Sequence, residues 1–389
     1  MKSWDAIVIG GGIIGLSLAI SLRKEGLKVL VVERGELGRE ASWAAAGMLA
    51  ASGTEFPETL KPLAAESARM YPEFVHELQD ESGINVDLRD QGTILISHEG
   101  NFPAAAKPLT LDELSSLEPS VSASLLREFM QARAPMVSTG GAAFPGSNIA
   151  GRLAAYLDER CVDPRILVSA VIKAARHRGV DIASGTVVEE LLVSGDCATG
   201  VRTEKSSYCA GTVINCAGAW AGCVSPVKFP VRPIKGQMLA VVGGANLRHV
   251  VRGDDVYLVP RSDGRIVIGS TLENAGYDKR VEVNTIQKLV HAALELIPAL
   301  AKSKKHENWA GLRPGTPDGL PILGETSTRG YFVATGHYRD GILLAPITAR
   351  VMTDLILRRP LSHDLATFFP ARFMGTNYHG DTESRREAI

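Results

Sequence analysis

At 389 residues the chain is longer than one hydrophobic core comfortably organises, so two domains are expected. Its 45% hydrophobic and 22% charged content is that of an ordinary soluble globular protein, and a formal net charge of -1 supplies no electrostatic footprint for nucleic acid or an acidic membrane surface. Five cysteines (Cys161, Cys197, Cys209, Cys216, Cys223) are odd in number and lack metal-ligand spacing, which argues against a disulfide framework and suits reduced thiols in a cytoplasm.

The apolar run over residues 6–22 is interrupted by four glycines and has no small-residue cleavage site. A strand, a turn and a helix explain it better than an export signal or a membrane span. Residues 6–9 are expected as a buried strand, and residues 10–15 as a glycine turn. Leu16, Leu18, Ala19 and Leu22 then form the buried face of a helix that stops at Gly26. Residues 28–32 read as the second strand, ending at Glu33. The spacing Gly10-x-Gly12-x-x-Gly15 in this context is a dinucleotide fingerprint. Gly10 permits the tight turn, Gly12 lets the backbone approach a pyrophosphate, and Gly15 lets helix and strand pack closely; Glu33 accepts hydrogen bonds from a ribose diol. The alternative is a purely structural glycine turn.

Further along, residues 84–97 alternate like a strand pair, and Asp163-Pro164 opens a helix over 165–178 that buries Leu167, Val171, Ala174 and Ala175. A strand at 213–215 leads into Cys216-Ala217-Gly218-Ala219-Trp220. Strands at 256–259 and 265–268 flank the hairpin signal Ser262-Asp263-Gly264, and Asn284 is the expected N-cap of a helix with Ile286, Leu289, Val290, Ala293 and Leu294 on one side. The stretch 309–346 places Arg313 in a turn fixed by Gly and Pro. A strand at 331–334, a glycine-bearing loop at 336–341 and a helix over 342–357 follow. A loop and helix start of this kind cradle negative charge, because first-turn N–H groups lack partners. The expected fold is an α/β nucleotide-binding domain (residues 1–83, 150–225 and 311–372) interleaved with an α+β domain built on an antiparallel sheet (84–149 and 226–310). Residues 373–389 are expected as a frayed tail.

These motifs, above all residues 5–49 and 309–357, resemble the D-amino-acid oxidase family of flavoenzymes, its glycine oxidase branch most closely. The resemblance implies a Rossmann-like domain of glutathione-reductase type and a non-covalent FAD. It assigns Gly10, Gly12, Ile13, Ile14, Gly15, Glu33 and Arg34 to the nucleotide. Ser42, Ala46, Gly47 and Met48 fall to the small-residue loop beneath the flavin, and Val188, Ala217, Gly218 and Trp220 to flanking turns. His337, Tyr338, Arg339, Asp340, Gly341, Ile342 and Leu343 form the second cradle.

By the same resemblance Arg313 clamps the substrate carboxylate by two parallel hydrogen bonds, Tyr257 adds its hydroxyl, and Arg339 stands at the site mouth. Pairing with a neighbouring acid such as Asp318 is the alternative for Arg313, packing for Tyr257, and solvation for Arg339. Asp255 and Leu272 are pocket positions where this chain departs from the family pattern, and Trp43 puts a bulky indole in a loop that usually carries small residues. No acid–base triad or metal cluster is evident, which fits a reaction needing only a positioned Cα hydrogen. The implied activity is oxidative deamination of glycine, sarcosine, D-alanine or a similar small amine, with oxygen as acceptor and hydrogen peroxide as product, in the context of thiamine thiazole formation. A cytoplasmic homo-oligomer, such as a tetramer, with no nucleic-acid or membrane partner is expected. Competing readings are a D-amino-acid or sarcosine-type dehydrogenase with another acceptor, a tRNA-modifying flavoprotein, and a flavin-bound assembly factor.

Overall fold

The computed structural model describes residues 3–52, 56–98, 100–122, 125 and 152–373. Its first layer is a six-stranded sheet in the order Ile322–Glu325, Tyr331–Thr335, Thr212–Asn215, Ala6–Ile9, Val29–Val32, Asp181–Ala183. All neighbours are parallel except the first pair. The three inner parallel strands read AIVI, VLVV and TVIN, apolar on both faces as a doubly covered parallel sheet requires. Helices Ile13–Lys24, Lys61–Ser82, Pro164–His177 and Gly341–Ile356 contribute to the core on one face. The other face packs against the antiparallel ribbon Val188–Ser194, Cys197–Thr203, Ser207–Cys209.

Local chemistry accounts for these helices. Asp163 caps Pro164–His177 by accepting from the N–H of Arg165 at 2.9 Å, with proline at the first helical position. Lys61–Ser82 ends at Gly83, whose φ of 65° is the left-handed stop glycine adopts freely. Helix Gly341–Ile356 is buried along most of its length and carries Pro346 inside. Proline has no N–H to give the Ile342 carbonyl four residues earlier, and the Tyr71 hydroxyl donates to that carbonyl instead.

The second layer is an eight-stranded sheet: Lys304–Gly315, Arg232–Val242, Arg265–Gly269, Tyr257–Pro260, Val250–Arg252, Thr93–Ser97, Leu153–Leu157, Lys107–Pro108. It is antiparallel except where Val250–Arg252 meets Thr93–Ser97. One face buries helices Leu111–Leu117 and Val283–Leu296, and the other carries Met238, Val259, Val267 and Trp309 toward the 44–46 loop. Strands Met48–Leu49, Arg160–Val162 and Leu88–Arg89 form a small sheet of their own.

Four expectations need correction. Leu153–Leu157 pairs in the eight-stranded sheet, although it lies in a segment assigned to the nucleotide-binding domain, and the division at residue 311 falls inside strand Lys304–Gly315. That strand also contains Arg313, so its Gly and Pro neighbours form sheet, not a turn: Gly311 pairs with Gly236 and Pro314 with Pro233. Two strands do lie in 84–97, but Leu88–Arg89 and Thr93–Ser97 go to different sheets and do not pair. The N-cap of Val283–Leu296 is Glu282, two residues before Asn284. Residues 126–149 and all of the expected tail except Phe373 lie outside the described residues.

Candidate active site

The two layers enclose a cleft of about 2590 Å³. Small-molecule pockets are commonly about 300–1,000 Å³, so this one has room for a dinucleotide and a small substrate together. It opens at the carboxyl ends of Ala6–Ile9 and Thr212–Asn215. The chain leaves the first of these toward Val29–Val32 on one side, while Thr212–Asn215 joins on the other, the switch point where such sheets bind ligands. Gly10, at φ 104°, sits where a Cβ would meet the Cys216 carbonyl oxygen at 2.4 Å, and a Cβ on Gly15 would meet the Gly10 oxygen at 2.1 Å. The close approaches expected from the fingerprint are therefore present. Glu33 is buried beside it, its carboxylate accepting from the N–H groups of Gly11 (2.7 Å) and Gly35 (2.8 Å).

Two helix N-termini face this cleft. Ile13–Lys24 starts from Gly12 without a side-chain cap, although Ser42 Oγ accepts from Ile13 N at 3.0 Å. Gly341–Ile356 starts from Asp340, also without a side-chain cap. Two helix starts directed at one cleft suit a ligand with two regions of negative charge. The loop before the second helix is fixed: Gly336 is left-handed at φ 75°, Tyr338 N donates to the Pro314 carbonyl at 3.1 Å, and Thr335 Oγ1 donates to Gly218 O at 3.1 Å. Asn215 holds the opposite turn, donating to Ala221 O at 2.9 Å and accepting from Ala217 N at 3.1 Å.

The expected cofactor residues are brought together, with two exceptions. Gly10, Gly12, Ile13, Ile14, Glu33 and Arg34 line the cleft, as do Ser42, Ala46, Gly47 and Met48 and the turn residues Val188, Ala217, Gly218 and Trp220. So do His337, Tyr338, Arg339, Asp340, Gly341 and Ile342. Gly15 lies behind the wall, in the helix–strand contact, and Leu343 points into the α/β core, 1% exposed. Trp43 also stays out of the cleft: its ring packs edge-on against Trp309 at 5.9 Å with the Arg165 guanidinium 3.5 Å from its centroid. Trp220 stacks on Tyr277 at 5.4 Å, and Arg34 lies 4.7 Å from the Trp220 centroid.

Arg313, Tyr257, Arg339, Asp255 and Leu272 line the same cleft. The antiparallel register sets Trp309, Met238, Gly269, Tyr257 and Arg252 side by side in one row, and Gly311–Gly236 and Arg313–Ile234 in the next positions on that face. The glycines make the floor: a Cβ on Gly236 would meet Arg313 Nη1 at 2.3 Å, and one on Gly269 would meet the Tyr257 oxygen at 2.8 Å. Arg313 thus lies flat over Gly236, donating from Nη1 to Thr271 O (3.1 Å) and from Nη2 to Ser270 Oγ (2.6 Å). Both acceptors are neutral, and among the described residues no carboxylate lies within ion-pair distance of it. Asp318, its alternative partner, pairs with Arg372 at 2.7 Å. The Tyr257 hydroxyl donates to the Met238 sulfur at 3.8 Å, a weak acceptor and its one hydrogen-bond partner among the described residues. Asp255 and Leu272 are exposed at the rim, Leu272 by 51%.

Two titratable groups of the second cradle are displaced by burial. His337 is pushed down to about 3, so its imidazole is neutral, with Nε2 3.1 Å from Thr348 Oγ1. Asp340 is pushed up to about 7, against the pull of Arg339. Sequence reading missed Gly236, Gly269, Ser270 and Thr271. Glycines inside strands were the available signal, since they mark close approach of another group.

The comparisons with known proteins agree with this geometry. The family model for FAD dependent oxidoreductases, designated DAO, matches residues 5–355. The bifunctional protein ThiO/ThiG of Trichormus variabilis is 34% identical over 95% of this chain, but the chain spans only 55% of that relative, about half its length. The glycine oxidase of Pseudomonas aeruginosa is 32% identical over 94% of this chain and 98% of its own. The crystal structure of glycine oxidase from Geobacillus kaustophilus superposes with a TM-score of 0.84 at 29% identity, covering 98% of this chain and all of the other. With the fingerprint, two helix starts facing one cleft and a family match over most of its length, the chain belongs to the DAO family of FAD dependent oxidoreductases.

Proposed function

We propose that this enzyme oxidatively deaminates glycine or a comparably small amine, such as sarcosine or D-alanine, and that Arg313 holds the substrate carboxylate. The observation that carries the reading is the Arg313 guanidinium laid over Gly236 on neutral acceptors, its charge unmatched by any described carboxylate. A guanidinium so placed has N–H donors left for a planar carboxylate, and its charge strengthens both bonds. Tyr257, one strand from Ser270's strand on the same face, offers its hydroxyl to the same group.

Bound FAD supplies the two-electron acceptor for the Cα hydrogen and the route from there to oxygen. The protein's own contribution is placement. Gly10, Gly12 and the start of Ile13–Lys24 fit the pyrophosphate, and Glu33 fits the ribose. The start of Gly341–Ile356 stabilises negative charge at the other end of the cleft. Arg313 and Tyr257 fix the carboxylate, and so aim Cα. Neither is a base, and the His337 imidazole is committed to Thr348. On this reading the amine arrives neutral, and kcat/KM is expected to rise with pH until the amine's own pKa is passed. The fusion of a similar chain to ThiG supports a setting in which the imine is consumed by thiazole formation. The non-covalent hold on FAD, the assembly state and the cytoplasmic location belong to this same proposal; no helix among the described residues is long and apolar enough to cross a membrane.

Oxygen consumption and peroxide release on glycine, sarcosine, D-alanine and D-phenylalanine test it. Each methylene is worth about 1 kcal/mol in an apolar pocket, so discrimination among the three small substrates is expected to be shallow. Turnover of D-phenylalanine or a D-dicarboxylate tenfold faster than glycine overturns the small-substrate assignment.

A further inference from the structure

Arg313 owes its pose to Ser270 and Thr271, two residues that follow the end of strand Arg265–Gly269. What holds those two in place lies on the far side of the sheet. Lys235 and Gln237 flank Gly236 in strand Arg232–Val242, so their side chains point to the face opposite Arg313; both are buried, at 1% and 0% exposure. The Thr271 hydroxyl accepts from Gln237 N at 2.9 Å and donates to the Glu273 carboxylate. Glu273 also accepts from Gln237 Nε2 at 2.9 and 3.1 Å, and Lys235 Nζ stands 3.5 Å from it. Backbone bonds between Lys235 and Glu273 in both directions (2.9 and 3.0 Å) close the unit.

Burial works against a charge on Glu273, yet the bonds from Thr271 and Gln237 and the Lys235 charge outweigh it and hold its carboxyl below the usual range. A buried ammonium and a carboxylate cost desolvation, so their presence beneath a neutral-looking turn calls for a reason. Arg313 reaches none of these charged groups directly; it meets only the Thr271 carbonyl and the Ser270 hydroxyl. The ion pair therefore fixes the platform under Arg313 without neutralising it.

We propose that Lys235, Gln237, Thr271 and Glu273 form a positioning unit that sets the orientation of the Arg313 guanidinium, and through it affinity for the substrate carboxylate. The inference rests on the reading of Arg313 as the carboxylate clamp. Glu273 and Lys235 are positioning residues, since neither lines the cleft and both act through Thr271.

The test uses holoenzyme and glycolate, a carboxylate without an amine, whose binding is read from the flavin absorption spectrum, beside steady-state kinetics with glycine. Glu273→Gln keeps the shape and removes the charge. It is expected to weaken glycolate about tenfold and raise KM similarly, with kcat within about twofold and flavin content unchanged. Thr271→Val is expected to behave the same way, whereas Thr271→Ser, which keeps the hydroxyl, is expected to match the parent. If Arg313→Ala leaves glycolate affinity intact, the clamp reading itself is wrong. If Arg313→Ala abolishes binding while Glu273→Gln and Thr271→Val do not change it, the clamp stands and the positioning unit is refuted. Equal losses in Thr271→Ser and Thr271→Val, or losses that track flavin content in both series, also refute it.

Discussion

On the proposed reading, Arg313→Ala removes a charge-assisted, two-point contact with the substrate carboxylate. It is expected to cost about 3 kcal/mol or more in kcat/KM, upward of a hundredfold, with flavin retained. Arg313→Lys restores charge but not the fork, and steady-state kinetics are expected to show only partial recovery. Gly236→Ala is a sharper probe of the same geometry, because its added carbon would stand 2.3 Å from Nη1 and displace the guanidinium without altering its chemistry. A raised KM for glycine with near-parental kcat is the expected result, and unchanged KM contradicts the flat pose. Tyr257→Phe deletes one neutral donor and keeps the ring, so a loss of about 1–2 kcal/mol, mainly in KM, is expected. Turnover abolished with KM intact would give Tyr257 a chemical role instead. At this scale the sequence was informative where a residue's work is local. Gly15 against Gly10, and Glu33 on Gly11 and Gly35, do their work within one βαβ unit, and their spacing displays it. Ser270 and Thr271 hold Arg313 across more than 40 positions of chain, and nothing in their neighbourhood announces that.

Among the elements, helix Gly341–Ile356 couples the core to the cleft. Pro346 leaves the Ile342 carbonyl without its intrahelical donor, and Tyr71, from the long helix Lys61–Ser82, supplies the bond. Ser67 of the same helix donates to the Leu343 carbonyl at 2.6 Å. Tyr71→Phe is therefore expected to destabilise the fold by about 1–3 kcal/mol, the cost of an orphaned buried acceptor, and to weaken flavin binding because the released turn is the one facing the cleft. Thermal unfolding and FAD titration check both parts; a loss of stability with no change in FAD affinity would separate this turn from the cofactor. Sequence patterns located this helix and Pro164–His177 to within a residue or two, since caps and buried faces are written locally. They misjudged Lys304–Gly315, where Gly311, Pro314 and Gly315 look like turn residues. Gly311 pairs with Gly236 and lies close against Ala44, Gly315 lies against Ile234, and pairing with Arg232–Val242 decides the conformation.

The same helix start gives the molecule a pH signature. His337 is buried neutral, with its pKa lowered to about 3 from 6.5. A depressed pKa gives stability that is complete above 6.5 and is lost as pH falls toward 3, by at most about 5 kcal/mol. Asp340 has the opposite sign: raised from 3.8 to about 7, its contribution is complete below 3.8 and declines as pH rises to 7. His337→Gln keeps a donor near Thr348 without a titrating ring, so its acid transition by circular dichroism is expected at lower pH than the parent's. An unshifted transition would place the acid sensitivity elsewhere.

At the scale of the whole molecule, the cofactor cleft is built from both layers. The six-stranded sheet draws strands from residues 6 to 335, and the floor at Gly236, Gly269 and Arg313 comes from the eight-stranded sheet. The interleaving was legible because α/β and antiparallel textures alternate along the sequence. The membership of Leu153–Leu157 was not, since a short apolar strand suits either sheet and only its pairing with Thr93–Ser97 decides. A ligand spanning such a cleft stabilises both layers by mass action, about 2.7 kcal/mol when it stands at 100 times its Kd, so Tm is expected to rise with added FAD and to fall when it is stripped. The hold is expected to be non-covalent. Of the cleft cysteines, Cys216 is buried and burial pushes its thiol up, away from the thiolate that a covalent bond to flavin requires. Cys223 lies beside Tyr277, its sulfur 3.6 Å from that hydroxyl, where the Tyr277 ring stacks on Trp220 next to Arg34. Acid precipitation is accordingly expected to leave the yellow colour in the supernatant, and a colourless pellet refolded with FAD is expected to recover its absorption. A yellow pellet would establish a covalent link, and its loss in Cys223→Ser would identify the attachment.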